Sequence, residues 1–452
     1  MCWPGWVFVH TKGGEADGST ADGRLFNSTL EMEVWVLKWP NGWWWKSLGH
    51  TPAAVPLVIP DGHTWRVEPC GSTTVAQVAQ EARAKSIPGI SLRPETGDAD
   101  LAHLQELKDL QTLFLRETQV TGEGLVHLKE LTNLHLLYLN DTKVTDAGLV
   151  HLKKLTNLQT LDLGYTLVTD AGMIHLKELK SLRDLRFGRT QVADAGLVHI
   201  NELQGLQCLI LFGTQVTDVG LAHLRGLTNL QQLDLGKTQV TDVGLARLKA
   251  LNSLQTLELY GARVTDAGLR HLKELKNIER LDLGETQVTD AGLAYLKELE
   301  GLKSLGFWHT QVMGAGLAHL KVLKHLQELD LFDTQVTDAG LTGLKELKSL
   351  QRLRLCHTKV TTAGLAQLQE LTSLQELDLG SSKITDAGLV YLKGLTNLHE
   401  LDLFDTRVTD AGLVHLQQLK NLQKLKLYGT QVTDVGIGEL RKALPDCVIT
   451  VE

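Results

Sequence analysis

From about residue 101 to the C-terminus the chain repeats itself every 24 residues without a slip of register. Leu281–Ser304, LDLGETQVTDAGLAYLKELEGLKS, is one copy. Val or Ile recurs from Val120 and Val144 to Val408 and Val432, and glycine from Gly124 and Gly148 to Gly436. A fixed period of this length means stacked supersecondary units, none of which closes a core alone. At 452 residues, length alone would suggest about three globular domains. The repeat overrides that expectation, because a solenoid lengthens without a new core.

Within one copy, Ile278, Leu281 and Leu283 bracket Asp282, the alternation of a strand with one buried face. Leu293, Leu296 and Leu299 recur every third residue, which predicts a short α- or 3₁₀-helix opened by Thr289 or Asp290. The Thr286 position is Thr in twelve of fourteen copies, with Ala262 and Ser382 the exceptions. A small hydroxyl there can bond main-chain groups of a buried turn. Gly292 and its equivalents are expected where a side chain would crowd the neighbouring repeat or where the backbone angle is unusual.

The pattern L-x-x-L-x-L-x-x-T-x-V-T-D-A-G-L-x-x-L-x-x-L resembles the leucine-rich repeat superfamily over residues 90–452. Its T-D-x-G-L helix start is similar to the ribonuclease-inhibitor-like and F-box-associated, cysteine-containing branches, and to bacterial proteins with 24-residue units. Thr286 and its equivalents stand where those families usually have Asn or Cys. The resemblance implies an α/β solenoid, a horseshoe with parallel strands on the concave face and short helices on the convex face. It also implies a protein-binding role, without naming the partner.

Residues 1–85 differ: eight of the nine tryptophans lie there, Gly and Pro are frequent, and no period shows. Glu33–Trp39 and Leu57–Pro60 read as short strands and Val75–Lys85 as a helix. Trp43, Trp44 and Trp45 would suit a carbohydrate, membrane-interface or partner platform. Without periodicity the segment is expected to be an irregular, partly disordered appendage, or sequence translated upstream of a start at Met32. Residues 86–110 read as a degenerate capping repeat, with Asp100 where glycine belongs, and 111–440 as the repeats proper. Residues 441–452 read as the C-terminal cap, with Pro445 ending a longer helix and Val448–Val451 forming a last strand.

Composition narrows the function. A formal charge of −8 argues against nucleic acid, whose binders carry basic stripes. No secretory leader and no run of ~18 apolar residues is present, so no membrane span is expected. Cys2, Cys70, Cys208, Cys356 and Cys447 form no disulfide framework, and a reducing, cytoplasmic setting follows. No phosphate loop, nucleophile elbow, zinc helix or paired-cysteine motif occurs, so no catalytic residue, metal or cofactor is assigned. His103, His127, His151, His175, His199 and His223 share one repeat position. Helices ~8–10 Å apart hold such a column too far apart to ligate one ion, and a multiplied surface residue explains it.

The strand side carries the candidate site. Asp234, Glu258, Asp282, Asp330, Asp378 and Asp402 lie between the strand leucines and face away from the core. Two residues further on stand Phe212, Tyr260, Trp308, Phe332, Phe404 and Tyr428. Aromatics at a repeated surface position are what interfaces use. The expected function is a non-enzymatic scaffold binding a protein of basic or mixed apolar and basic surface. The alternative is a substrate-recognition adaptor like the F-box leucine-rich-repeat proteins of ubiquitin ligases, which would need a compact helical module before the repeats.

Overall fold

A computed structural model describes residues 23–38 and 44–451, which divide into two compact units at Ser91/Leu92. Trp3, Trp6, Trp39 and Trp43 lie outside the described residues.

Where an irregular segment was expected, residues 23–91 form regular structure. β1 (Gly23–Phe26) pairs antiparallel with β4 (Leu57–Pro60). β2 (Met32–Lys38) lies between β3 (Trp44–Thr51) and β5 (Trp65–Pro69), antiparallel to both. Helix α1 (Val75–Lys85) is opened by a capping box between Thr74 and Gln77, and β6 (Gly89–Ser91) runs parallel to β5. Met32, Val34 and Val36 are buried while Trp35 faces the other way, beside Arg66. Three inward positions in a stretch rich in Trp, Gly and Pro are too few for the alternation to stand out.

Residues 92–451 form the solenoid. Fifteen strands, from Thr112–Phe114 to Val448–Thr450, lie side by side with parallel neighbours in register, as in Leu281 opposite Leu305. Each copy adds a buried column: Ile278, Leu281, Leu283, Val288, Leu293, Leu296 and Leu299 are all at most 1% exposed. The helical side is a one-turn α-helix running into a 3₁₀ turn, as in Asp266–Leu269 and Arg270–Glu274, or 3₁₀ throughout, as in Gly292–Glu298. Strands stack more closely than helices, so the strand side is the concave one.

Three hydrogen-bond devices explain the recurring polar positions. Thr286 donates its hydroxyl to the Leu283 carbonyl at 2.6 Å, closing the turn after the strand as foreseen. Of the two candidate types of cap, the threonine is the one used where the helix starts at the aspartate. Thr265 caps Asp266–Leu269, accepting from the Ala267 N–H at 3.3 Å, and Thr289 makes the same bond to Ala291 ahead of its 3₁₀ turn. The aspartate instead reaches the next repeat: Asp266 accepts from the Thr289 N–H at 2.8 Å and from its hydroxyl at 2.7 Å. The same bracket joins Asp98 to Thr121, Asp218 to Thr241 and Asp410 to Thr433.

The glycine column is a matter of crowding. A Cβ on Gly292 would sit 2.4 Å from Asp266 Oδ1, so glycine makes room for the bracket of the preceding repeat. The unusual backbone lies seven residues earlier. Glu285 has φ 51°, and its equivalents, from Glu117 at 60° to Asp405 at 50°, are all left-handed. Glycine fills this position only at Gly213, Gly261 and Gly429. The position is free in side-chain chemistry but fixed in backbone, and no β-branched residue occupies it.

The C-terminal end follows the sequence reading. Helix Asp434–Ala443 is longer than its predecessors, and Val448–Thr450 lies parallel to Lys424–Lys426, with Leu427 N–H donating to Thr450 O at 2.8 Å.

Candidate functional site

The strand side carries two side-chain rows, one between the leucines and one just past them. The first row does less facing outward than the alternation suggests. Asp234 accepts from the Gly236 N–H at 2.8 Å, Asp282 from Gly284 at 2.8 Å, and Asp378 from Gly380 at 3.0 Å. Asp330 and Asp402 do the same with the N–H groups of Phe332 and Phe404, at 2.9 and 3.1 Å. Each carboxylate thus stiffens the strand exit, and Asp402 is only 7% exposed.

Nor is the row an open acidic stripe. Arg354 lies 2.6 Å from Asp330 and 3.7 Å from Asp378, and Lys426 lies 2.9 Å from Asp402. Arg280 bonds Glu258 at 2.9 Å and reaches Glu328 at 3.6 Å, while Arg352 bonds Glu328 and, at 2.6 Å, Glu376. The Arg352 bond holds the Glu376 carboxyl below the usual carboxylate range. These cations at the strand starts were missing from the sequence reading. The signal was present at the strand-start position, where Glu328, Arg352 and Glu376 alternate in sign on adjacent strands, as in cross-strand pairs.

The second row is built as a pavement. Five copies carry glycine here, and over four of them, Gly188, Gly236, Gly284 and Gly380, the aromatic of the next repeat lies down. A Cβ on Gly284 would meet Trp308 Cε2 at 2.1 Å, one on Gly236 would meet Tyr260 Cε1 at 2.4 Å, and one on Gly380 would meet Phe404 Cε1 at 2.1 Å. Trp308 is locked further by its indole N–H, which donates to Asp282 at 2.9 and 3.1 Å.

Two left-handed residues, His309 and His357, complete the row. Ring centroids follow from Tyr260 to Trp308 at 6.0 Å, to His309 at 5.6 Å, to Phe332 at 5.0 Å and to His357 at 5.5 Å. Phe404 follows at 6.0 Å, with Tyr428 stacked on it at 4.9 Å. The two histidines were missed because their role depends on the left-handed turn, which aims the side chain back along the face. Phe212 stands apart: it covers Gly188, lies 6.0 Å from Tyr165 and has Arg189 over its ring at 5.9 Å. The structure therefore joins Tyr260, Trp308, Phe332, Phe404 and Tyr428 and leaves Phe212 outside the row.

Electrostatically the face is uneven. Burial, reinforced by Glu258 and Asp282, pushes the Asp234 carboxyl up to about 7. Burial also raises Asp282 and Glu258. Cys356, in the row between Phe332 and Phe404, is 2% exposed, and burial pushes its thiol up to about 12. It is therefore a poor nucleophile. Among the described residues no group of His, Cys, Asp or Glu converges as metal ligands would, and no helix is long and apolar enough to cross a membrane.

The comparisons agree with the fold. Family models described as leucine rich repeats (2 copies) and leucine rich repeat match residues 132–172, and 226–249, 322–345, 370–393 and 394–416. The chain is similar to a leucine-rich-repeat protein of Leptospira interrogans at 23% identity and TM-score 0.60, over 83% of this chain and 91% of that one. It is also similar to an internalin of Listeria monocytogenes at 24% identity and TM-score 0.55, over 71% and 88% of the two chains. At this identity the likeness speaks for the fold alone. No curated protein matches the chain in sequence. The 24-residue period, the register of parallel strands and these matches make residues 92–451 a leucine-rich-repeat solenoid.

Proposed function

We propose that this protein is a non-enzymatic interaction scaffold, and that the strand face from Tyr260 to Tyr428 binds an extended polypeptide. The observation that carries the reading is the aromatic row. Seven rings follow one another along one face, each half-buried or exposed, and several are seated on glycines that no core packing requires. Rigid rings presented in a line lose little conformational freedom on binding, which is why aromatic anchors dominate interfaces. An extended chain laid across the strands would place successive side chains along it.

Catalysis finds no support on this face. The carboxylates are bonded to main-chain N–H groups or to Arg and Lys, and the one thiol is buried with a raised pKa. The F-box adaptor reading draws nothing from the N-terminal unit either, whose described residues are six strands and a single helix.

A random peptide library displayed on phage, selected on the full chain and counter-selected on Trp308→Ala, tests the proposal. Enrichment of peptides that bind the wild type and lose at least ten-fold in affinity for Trp308→Ala supports it. Peptides retained equally by both proteins would place the binding surface elsewhere.

A further inference from the structure

The aromatic row changes its charge environment at Trp308. On the C-terminal side, Asp330, Asp378 and Asp402 each face Arg354 or Lys426 of this chain. On the N-terminal side, Asp234 and Asp282 make no ion pair among the described residues; their donors are the N–H groups of Gly236 and Gly284 and the indole of Trp308. Glu258, between them, is held by Arg280. Tyr260 and Trp308 lie beside these carboxylates with centroids 6.0 Å apart and planes 35° apart, each floored by a glycine.

We propose that this stretch is the anchor subsite of the peptide face and takes an arginine side chain of the partner. The guanidinium stacks on Tyr260 and Trp308 and donates to Asp234 and Asp282. The inference rests on the reading of the strand face as a polypeptide-binding surface.

Charge complementarity selects the occupant. Asp330, Asp378 and Asp402 are neutralised by Arg354 and Lys426 whereas Asp234 and Asp282 are not, so an incoming cation gains more beside Tyr260 and Trp308 than beside those three. The carboxylates have capacity left: an ionised carboxylate offers about four acceptor sites, and Asp234 uses one of them for Gly236. Arginine fits better than lysine because its planar group stacks on a ring while donating in its own plane. A metal ion fits worse: Asp234, Glu258 and Asp282 stand on adjacent strands in register, a row rather than a cage. The raised Asp234 carboxyl points the same way, since burial without a cation is what lifts it and an arriving guanidinium would lower it again.

Three fluorescein-labelled nine-residue peptides test this by anisotropy: alternating Leu-Arg, the same peptide with lysine, and the same with citrulline, the uncharged isostere of arginine. The arginine peptide is expected to bind the full chain at least ten-fold tighter than the citrulline peptide, with lysine between them. Asp234→Asn with Asp282→Asn should remove most of that preference; asparagine keeps the oxygen that accepts from Gly236 or Gly284, so the fold is retained. Phe404→Ala should weaken the arginine and citrulline peptides alike. Equal wild-type affinity for arginine and citrulline, with both weakened by Phe404→Ala, overturns the arginine anchor and leaves the peptide face standing. An arginine preference undiminished in the double variant also overturns it. Failure of every peptide to bind overturns both readings.

Discussion

The helical and strand flanks of one repeat are built from the same 24 residues but under different constraints. On the helical flank the T-D-x-G-L run is nearly invariant because each part bonds or clears the neighbouring repeat. Asp266 holds Thr289, and Gly292 leaves the space in which Asp266 sits. On the strand flank only the inward leucines are fixed, and the outward positions range over Phe, Tyr, Trp, Gly, Asp, Arg and Lys. Monotony in this array marks bonds between repeats; variety marks the surface free to specify a partner. The histidines follow the same rule: His151, His175 and His199 sit half-exposed at one helical-side position, as a duplicated surface residue would.

The comparison breaks most visibly at the glycine. Gly292→Val should cost roughly 3 kcal/mol or more, because the new side chain overlaps Asp266 Oδ1 and the Leu269 side chain. Gly438→Ala, with nothing within 4 Å, should instead gain up to about 1 kcal/mol of helix propensity. Thermal or urea unfolding of both variants decides the matter, and similar loss in both would remove the crowding argument.

Next in size is the bracket. Asp266→Ala forfeits two bonds to the next repeat and should cost about 1–2 kcal/mol. Glu298→Ala, which breaks only an exposed pair with Lys276, should stay within about 0.5 kcal/mol. Urea midpoints in the opposite order would show that the bracket is ornamental.

The left-handed position sharpens the contrast between chemistry and backbone. Glu285→Val should lose about 1–2 kcal/mol, whereas Glu285→Gly should stay within about 0.5 kcal/mol despite losing the Lys237 pair. Equal melting temperatures for the two would mean that φ at this position carries no strain.

The smallest effect is electrostatic. Burial pushes the Asp234 carboxyl up to about 7 from an ordinary 3.8. Below about pH 3 both states are protonated and the group contributes nothing. As pH rises from there, the unfolded chain ionises first, so the fold loses stability until the folded pKa is passed. Asp234→Asn should therefore leave stability at about pH 3 unchanged and raise it at about pH 8 by about 1 kcal/mol, a figure reduced for solvent screening of a half-buried group. A variant whose gain is the same at both pH values would contradict the assignment.

Much of this fold could be read from one repeat. Leu281, Leu283, Leu293, Leu296 and Leu299 announce their burial by spacing alone, and Thr286 announces its turn bond. The N-terminal strands were only partly legible, because tryptophans and prolines mask the alternation of Met32, Val34 and Val36. The candidate face was legible as a set of positions but not as an arrangement. Periodicity says that Asp282 and Trp308 point the same way; it does not say that the indole donates to the carboxylate, or that Gly284 lets the ring lie down. His309 and His357 were invisible for the same reason, since their contribution follows from a left-handed backbone that residue type alone does not reveal.

The central claim is that partner recognition belongs to the strand flank and not to the helical one. The direct test measures the affinity of a peptide selected on the wild type for two variants: Trp308→Ala with Phe404→Ala on the strand face, and His151→Ala with His175→Ala and His199→Ala on the helical side. Both sets should fold, since neither touches the leucine column or the Asp–Thr brackets. The account predicts a loss of at least 100-fold for the strand variant, on the order of 2 kcal/mol for each central aromatic, and no change for the histidine variant. Undiminished binding to the strand variant, with loss in the histidine variant, would contradict it.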